Sequence, residues 1–417
     1  MLQIHWHSKT WFKLRFSGFD DEWQSCRFDE LFDFQVAGDM KKELFNEEFI
    51  DEYKYPLYAN ALENEGLLGY YKEYKYNPNS ITVTARGNIG HATARKNKFN
   101  AVGRLIILTP KEDLNIEFFT EYINNNVKIY IESTGVPQLT APSLKINKLH
   151  YPTLNEQNKI SNLLIMLNNK IELLGQKHQL YQYFKKYLMQ QIFTQKLRFN
   201  FNDAWKTVKI KDIFDERSEK GFLDLELLSV TLNDGVIKRS EIESKDNSNE
   251  NKSNYKHVLP GDIVYNSMRM WQGASGVSPY EGIVSPAYTI LIPKNVYSKY
   301  FGYYFKTNEM VYQFKKYSQG LTSDTWNLKY PLISEIKIKI PSIEEQKEIT
   351  NVFEIMDEKI KILQNNIDEL TTFKKGLLQQ MFVVRINWRC NFKLAKSPSF
   401  NKHLLILKNK IIFIIIK

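Results

Sequence analysis

Cysteine is scarce in this 417-residue chain: Cys26 and Cys390 are the only two, far apart and in no CxxC pair. That excludes a disulfide framework and a cysteine-based zinc site, and it predicts a reducing, cytoplasmic setting. Long apolar runs are missing too. No stretch reaches 18 consecutive apolar residues, so no membrane span is expected. The opening "MLQIHWHSKTWF" lacks the apolar core of a signal peptide, and its His5 and His7 read as terminal residues rather than ligands. The closing "HLLILKNKIIFIIIK" is broken by Lys408, Asn409 and Lys410 and reads as a peripheral tail. Catalytic signatures are also absent. There is no GxxxxGK[ST], GxGxxG, HExxH or GxSxG. The nearest string to an Asn/Asp-Pro-Pro-aromatic motif is "NPNS" (Asn77–Ser80), which lacks the second proline and the ring and reads as a turn.

What is present is positive charge and repetition. The formal charge of +10 and pI of about 9.1 suit a polyanionic partner such as nucleic acid. The richness in Lys, Asn and Ile is also what an AT-rich genome encodes, so charge alone leaves the partner open.

The repetition is more specific. "YPTLNEQNKISNLLIMLNNKI" (Tyr151–Ile171) and "IPSIEEQKEITNVFEIMDEKI" (Ile340–Ile360) are identical at seven of 21 positions, 189 residues apart. "YLMQQIF" (Tyr187–Phe193) returns at the same offset as "GLLQQMF" (Gly376–Phe382). "KLRFSGFDDEW" (Lys13–Trp23) returns as "KLRFNFNDAW" (Lys196–Trp205), each followed by a similar pattern, "RFDELF" and "KIKDIF". A period this long means duplicated domains rather than a solenoid.

Each copy has two parts. In the first, "SITVTARGNIG", "GRLIILTP", "GDIVYN" and "AYTILIP" read as strands ended by Gly or Pro. "NIEFFTEYINN" and "SKYFGYYFKTNEM" have helical spacing. The second part is a long helix with a heptad seam: Ile160, Leu164, Leu167, Ile171 and Leu174 in one copy, and Ile349, Phe353, Met356, Ile360, Leu363, Ile367 and Leu370 in the other. His178 takes the place of Ile367 and reads as a tolerated polar seam residue. Through Phe184, Leu188 and Ile192, and through Phe373, Leu377 and Met381, the spacing shifts as a stutter would cause. Pro152 and Pro341 precede the helices, and Glu156, Glu344 and Glu345 sit where a first turn favours negative charge. About 40 helical residues span roughly 60 Å. A seam that long needs a partner, and the other copy is the nearest one, in antiparallel sense.

The expected fold is therefore α+β. Two mixed globular domains are separated by two long helices pairing as an antiparallel coiled coil, with internal pseudo-two-fold symmetry. The boundaries read as 1–150 and 196–340 for the globular parts, 151–195 and 341–382 for the helices, and 383–417 for an atypical tail. Around Gly-rich turns the globular parts carry candidate recognition residues. These are Arg86, Asn88, His91, Arg95, Lys96 and Lys98 in the first, and Asn266, Ser267, Arg269, Trp271 and Gln272 in the second. Arg reads guanine and Asn or Gln reads adenine by two-pronged contacts, while Lys holds phosphate. Ordinary hairpin loops with solvated charges would look the same.

These strings resemble the specificity subunit of Type I DNA restriction–modification systems. The resemblance rests on both "KLRF…W" openings, on "ITVTARGNIGHA" and "LPGDIVYNSMRMWQGASG" with "GIVSPAYTIL", and on "PTLNEQNKI", "PSIEEQKEI", "YLMQQIF" and "GLLQQMF". It covers roughly residues 13–382. It implies two target-recognition domains, each reading one half of a split double-stranded DNA site, with unlike domains reading an asymmetric site. It also implies helices that pair and dock two methyltransferase subunits for adenine methylation, and restriction subunits that complete the complex. No catalytic centre is expected in this chain; S-adenosylmethionine, ATP and Mg belong to the partner subunits. A stand-alone coiled-coil nucleic-acid adaptor and a methyltransferase or nuclease enzyme are the alternatives.

Overall fold

The computed structural model describes residues 2–3, 14–127, 137–243, 248–249, 251–322 and 325–382. His5, His7, Cys390 and the tail 383–417 lie outside the described residues. The chain packs as two compact units. Unit one runs to Met166 and includes the segment from Phe373; unit two is Leu167–Thr372.

Unit one contains an antiparallel four-stranded sheet built from β1 (Phe32–Val36), β2 (Ser80–Val83), β3 (Ala92–Arg95) and β4 (Ile106–Pro110) in the order β1-β4-β2-β3. Unit two repeats it with β5 (Phe214–Glu216), β6 (Ile263–Asn266), β7 (Ser275–Val277) and β8 (Tyr288–Pro293) in the order β5-β8-β6-β7. Ile81, Val83, Ile106, Ile107 and Leu108 are almost wholly buried, as are Ile263, Val264, Tyr265, Ile290 and Leu291. Continuous apolar runs of this kind mark central strands covered on both faces.

The openings of the two copies also fold alike. "RFDELF" and "KIKDIF" each form a strand, one helical turn and the first sheet strand. In each, the acid of the turn accepts the backbone amide that precedes it: Glu30 from Arg27 at 2.9 Å and Asp212 from Lys209 at 2.8 Å. The entry strand pairs with the strand that leads into the long helix, Gln24–Arg27 with Lys148–Tyr151 and Lys206–Lys209 with Lys337–Ile340.

Helix α1 (Ile116–Asn126) buries Phe118, Phe119 and Tyr122 and is capped by Asn115, whose side chain accepts the Phe118 amide at 2.9 Å. "SKYFGYYFKTNEM" is two helices rather than one. After α2 (Ser298–Tyr304) the chain turns, and the Thr307 hydroxyl caps a new start for α3 (Asn308–Tyr317). Periodicity alone does not register that restart.

The long helices are α4 (Leu154–Phe193) and α5 (Ile343–Phe382), of 40 residues each. Burial follows the four-three alternation along both. On α4, Ile160 and Leu164 are buried, Leu167, Ile171, Leu174, His178, Tyr181, Lys185 and Leu188 half-buried, and Ile192 buried. On α5, Ile349, Phe353, Met356 and Leu363 are buried, Ile360, Ile367, Leu370 and Lys374 half-buried, and Leu377 and Met381 buried.

The expected stutter is therefore corrected: the alternation runs on without a break, and Phe184 is 50% exposed. At the apparent break each copy places a lysine in the stripe. The Lys185 ammonium reaches Asp357 at 2.5 Å, and that of Lys374 reaches Glu121 at 3.0 Å. A lysine stem lies along an apolar seam while its charge leaves it, so counting apolar residues misses the position.

Within unit two the end of α4 and the start of α5 run antiparallel. Phe193 stacks on Phe353 at 5.9 Å while Lys185 meets Asp357. In unit one Phe382, the last residue of α5, packs on Phe118 and Tyr122.

Candidate nucleic-acid interface

The two candidate recognition loops occupy the same place in the fold. Residues 84–91 join β2 to β3, and residues 267–274 join β6 to β7; both loops have eight residues. Their sequences are unlike, but each is built on tight internal bonding.

In the first loop, buried Thr84 donates its amide to the His91 carbonyl at 2.9 Å, and its carbonyl accepts the Gly90 amide at 2.8 Å. Gly87 and Gly90 take φ of 68° and 85°, a region that strains any residue with a Cβ. The Asn60 side chain accepts the Ala85 amide at 2.7 Å and braces the loop from below. Arg86 and Asn88 are left exposed. His91 is also exposed, and partial desolvation and the nearby Arg95 hold its ring below the usual histidine range.

In the second loop, the Asn266 side chain accepts the Met268 amide at 3.0 Å, and the Trp271 indole donates to the Met268 carbonyl at 3.0 Å. Gly273 closes the turn at φ 87°. Arg269 and Gln272 are exposed; Asn266 and Trp271 are half-buried.

Two expected contact residues prove to be internal. Arg95 is 4% exposed, donates to the Thr82 hydroxyl at 2.9 Å and the Glu65 carbonyl at 2.7 Å, and lies over the Tyr58 ring at 3.5 Å. Desolvation pulls its guanidinium below the usual arginine range. Ser267 is 4% exposed and shares a 2.8 Å bond with Thr289. Arg95 is the last residue of β3 and its side chain turns inward, which a reading by residue type does not register. Lys96 and Lys98 are exposed: Lys96 pairs with Glu117 at 2.5 Å, and Lys98 sits 4.2 Å over the Tyr74 ring, whose contact raises its pKa.

A second segment, outside the candidate recognition residues, borders each loop. The Leu139 amide donates to the Ala85 carbonyl, and the Leu328 amide to the Ser267 carbonyl, both at 2.9 Å. Beside these stitches, Arg86 reaches Gln138 at 3.4 Å, and Trp326 meets Trp271 edge-to-face at 5.3 Å with Lys315 over its ring at 5.5 Å. Leu139 and Leu328 are 189 residues apart, as are Pro142 and Pro331, so the repeat offset carries back through "QLTAP" and "NLKYP" and was a legible signal.

The sequence strings linked to the helices also meet. The guanidinium of Arg15, from the first "KLRF", forks onto Glu156 of the first "NEQ" at 3.0 and 2.6 Å. Arg198, from the second "KLRF", forks onto Glu345 of "EEQ" at 2.9 and 2.7 Å, where the Trp205 indole also donates at 3.2 Å. The neighbouring glutamines share one role. Gln157 accepts the Asn115 amide and donates to the Pro152 carbonyl; Gln346 accepts the Tyr297 amide and donates to the Pro341 carbonyl. Glu156 and Glu345 sit in the first turns of their helices, as the sequence predicts, and each is in addition a buried partner of an arginine.

The profile described as "Type I restriction modification DNA specificity domain" matches residues 20–180 and again residues 202–372. The chain belongs to this family. Each unit's sheet with its loops lies within one specificity-domain match.

Among curated relatives, a Mycoplasma pneumoniae protein named for the type I specificity subunit is 32% identical over 173 residues, 39% of this chain and 47% of that protein. The chain thus spans about half of that relative's length. The specificity subunit of a Type I restriction enzyme from Methanocaldococcus jannaschii is 21% identical over 407 residues, covering 88% of this chain and 93% of that one. The crystal structure of a Type I restriction–modification S subunit from M. genitalium superposes with a TM-score of 0.60 at 16% identity, covering 89% and 98% of the two chains. That likeness is one of fold. Among the described residues, no helix is long and apolar enough to cross a membrane.

Proposed function

We propose that this chain is the DNA-recognition subunit of a Type I restriction–modification complex, each specificity domain reading one half of a split site. The observation that carries this reading is the pair of loops, 84–91 and 267–274. They have equal length and equivalent seats on repeated sheets, yet unlike exposed side chains. Equivalent placement suits two readers of one design, and unlike residues suit two different half-sites.

Arg86 and Arg269 are the candidates for guanine, Asn88 and Gln272 for adenine, and Lys96 and Lys98 for phosphate. The heptad stripes of α4 and α5, from Ile160 and Ile349 onward, serve as the spacer and as the dock for two methyltransferase subunits. S-adenosylmethionine, and the ATP and Mg used with restriction subunits, belong to those partners, and the complex works on cytoplasmic DNA. Single-molecule mapping of methylated adenine in the host genome, with the gene present and deleted, tests this. A split, asymmetric motif that disappears with the gene is the expected result; an unchanged methylome refutes the reading.

A further inference from the structure

The repeat retains two things together in each copy: an arginine ahead of the entry strand that pairs with the strand leading into the long helix, and a glutamate in the first turn of that helix. We infer that the Arg15–Glu156 and Arg198–Glu345 pairs are angular joints, positioning residues that fix each spacer helix against its own specificity domain and so set the permitted gap between half-sites. The inference rests on the DNA-recognition reading above.

Three observations carry it. First, the geometry is two-pronged in both copies, and a planar fork on a carboxylate fixes direction as well as distance. Second, both carboxylates are screened from solvent: Glu156 and Glu345 are each 1% exposed, against Arg15 at 7% and an Arg198 side chain at 24%. Third, the same guanidinium is held from the domain side. Arg15 also donates to the Asp21 carbonyl at 2.7 Å, and Arg198 to that of Asp203. Each arginine therefore ties the entry segment of its domain to the helix's first turn, across 141 and 147 residues of chain.

The lever is long. Half of a 40-residue helix is about 30 Å, so about six degrees of play at its base displaces its middle by about 3 Å, close to one base pair. Neighbouring contacts keep the helix docked without the fork. Gln157 and Ser161 bond to Asn115, and Ile160 and Leu164 are buried; in the second copy Gln346 bonds to Tyr297 and Phe353 is buried. Loss of the fork thus loosens the angle rather than releasing the helix.

The test uses the full chain in its own cell, comparing wild type with the double replacements R15M/E156L and R198M/E345L and with the conservative R15K. Adenine methylation is mapped at genomic sites carrying both half-sites with the wild-type gap, or with one base pair more or fewer. The expected result is at least a tenfold rise in the ratio of off-gap to on-gap methylation in either double replacement. R15K should be intermediate, because it keeps the charge but loses the fork, and the half-site sequences should be unchanged. An unchanged off-gap ratio with on-gap methylation intact overturns the inference. So does loss of all methylation by chains that accumulate and melt like wild type, or R15K of wild-type gap selectivity where a double replacement fails to fold. Absence of any split motif in wild type would instead defeat the DNA-recognition reading itself.

Discussion

Replacing Glu156 by alanine strands a buried cation. Arg15 is 7% exposed, and of its bonds among the described residues only the one to the Asp21 carbonyl remains in the variant. Breaking a buried pair from one side costs about 3–5 kcal/mol, because the remaining charge is desolvated and uncompensated. Removing both charges with R15M/E156L leaves apolar groups of similar length in the same space, and stability is expected within about 1 kcal/mol of wild type or above it. Urea unfolding followed by circular dichroism reads the difference. With slopes of about 1–3 kcal/mol per molar, the single replacement moves the transition of unit one by about 1 M or more, and the double one moves it little. E345A should shift the transition of unit two less, because the Arg198 side chain is 24% exposed and regains water. A midpoint for E156A equal to wild type would refute the claim that this pair is buried and mutually dependent.

The recognition loops give a sharper contrast between neighbours in sequence. R86A and R269A should weaken DNA binding and flatten its salt dependence while melting like wild type, whereas R95A, which empties a buried contact with Tyr58 and Thr82, should lower the melting temperature; the opposite assignment in a melting and binding series would overturn the placement. Inserting one helical turn of four residues into both α4 and α5 should lengthen the gap by about two base pairs with unchanged half-sites, as read by methylation mapping. Alkaline pH should destabilise the fold. Burial, with Cys26 nearby, pushes Tyr151 up to about 12 and raises Tyr265, Tyr300 and Tyr304 further. Their neutral forms favour the folded state fully below pH 10, and that contribution is lost as pH rises through the folded-state values. Denaturant midpoints should therefore fall above pH 10 together with the appearance of tyrosinate absorbance, and a flat midpoint from pH 9 to 12 would contradict it.

Much of the architecture is legible in the amino-acid sequence. The seam from Ile160 to Leu174 and from Ile349 to Leu370 is a run of spacings, and burial follows it because a helix imposes its period whatever surrounds it. The sheet strands announced themselves as β-branched and aromatic runs closed by Gly or Pro. The site was legible only as a neighbourhood. Arg95 looked as available as Arg86 because both are arginines near a glycine turn, and only the inward direction of its strand separates them. Gln138 and Trp326 carried no motif of their own, and only the extended repeat offset marked their segment.

The sequence by itself determined the duplication, the two 40-residue helices and the equal status of the two domains, because these are local periodicities and internal identities. Tertiary structure alone decided which repeated residues touch. Arg15 and Glu156 are separated by 141 residues, and Leu328 and Ser267 by 61, and no spacing rule links them until the strands pair. It also decided where the units divide, after Met166 within α4 and before Phe373 within α5. The physical reason is the same throughout. Periodicity is a property of one segment's backbone, whereas burial and pairing depend on which other segment arrives to exclude water.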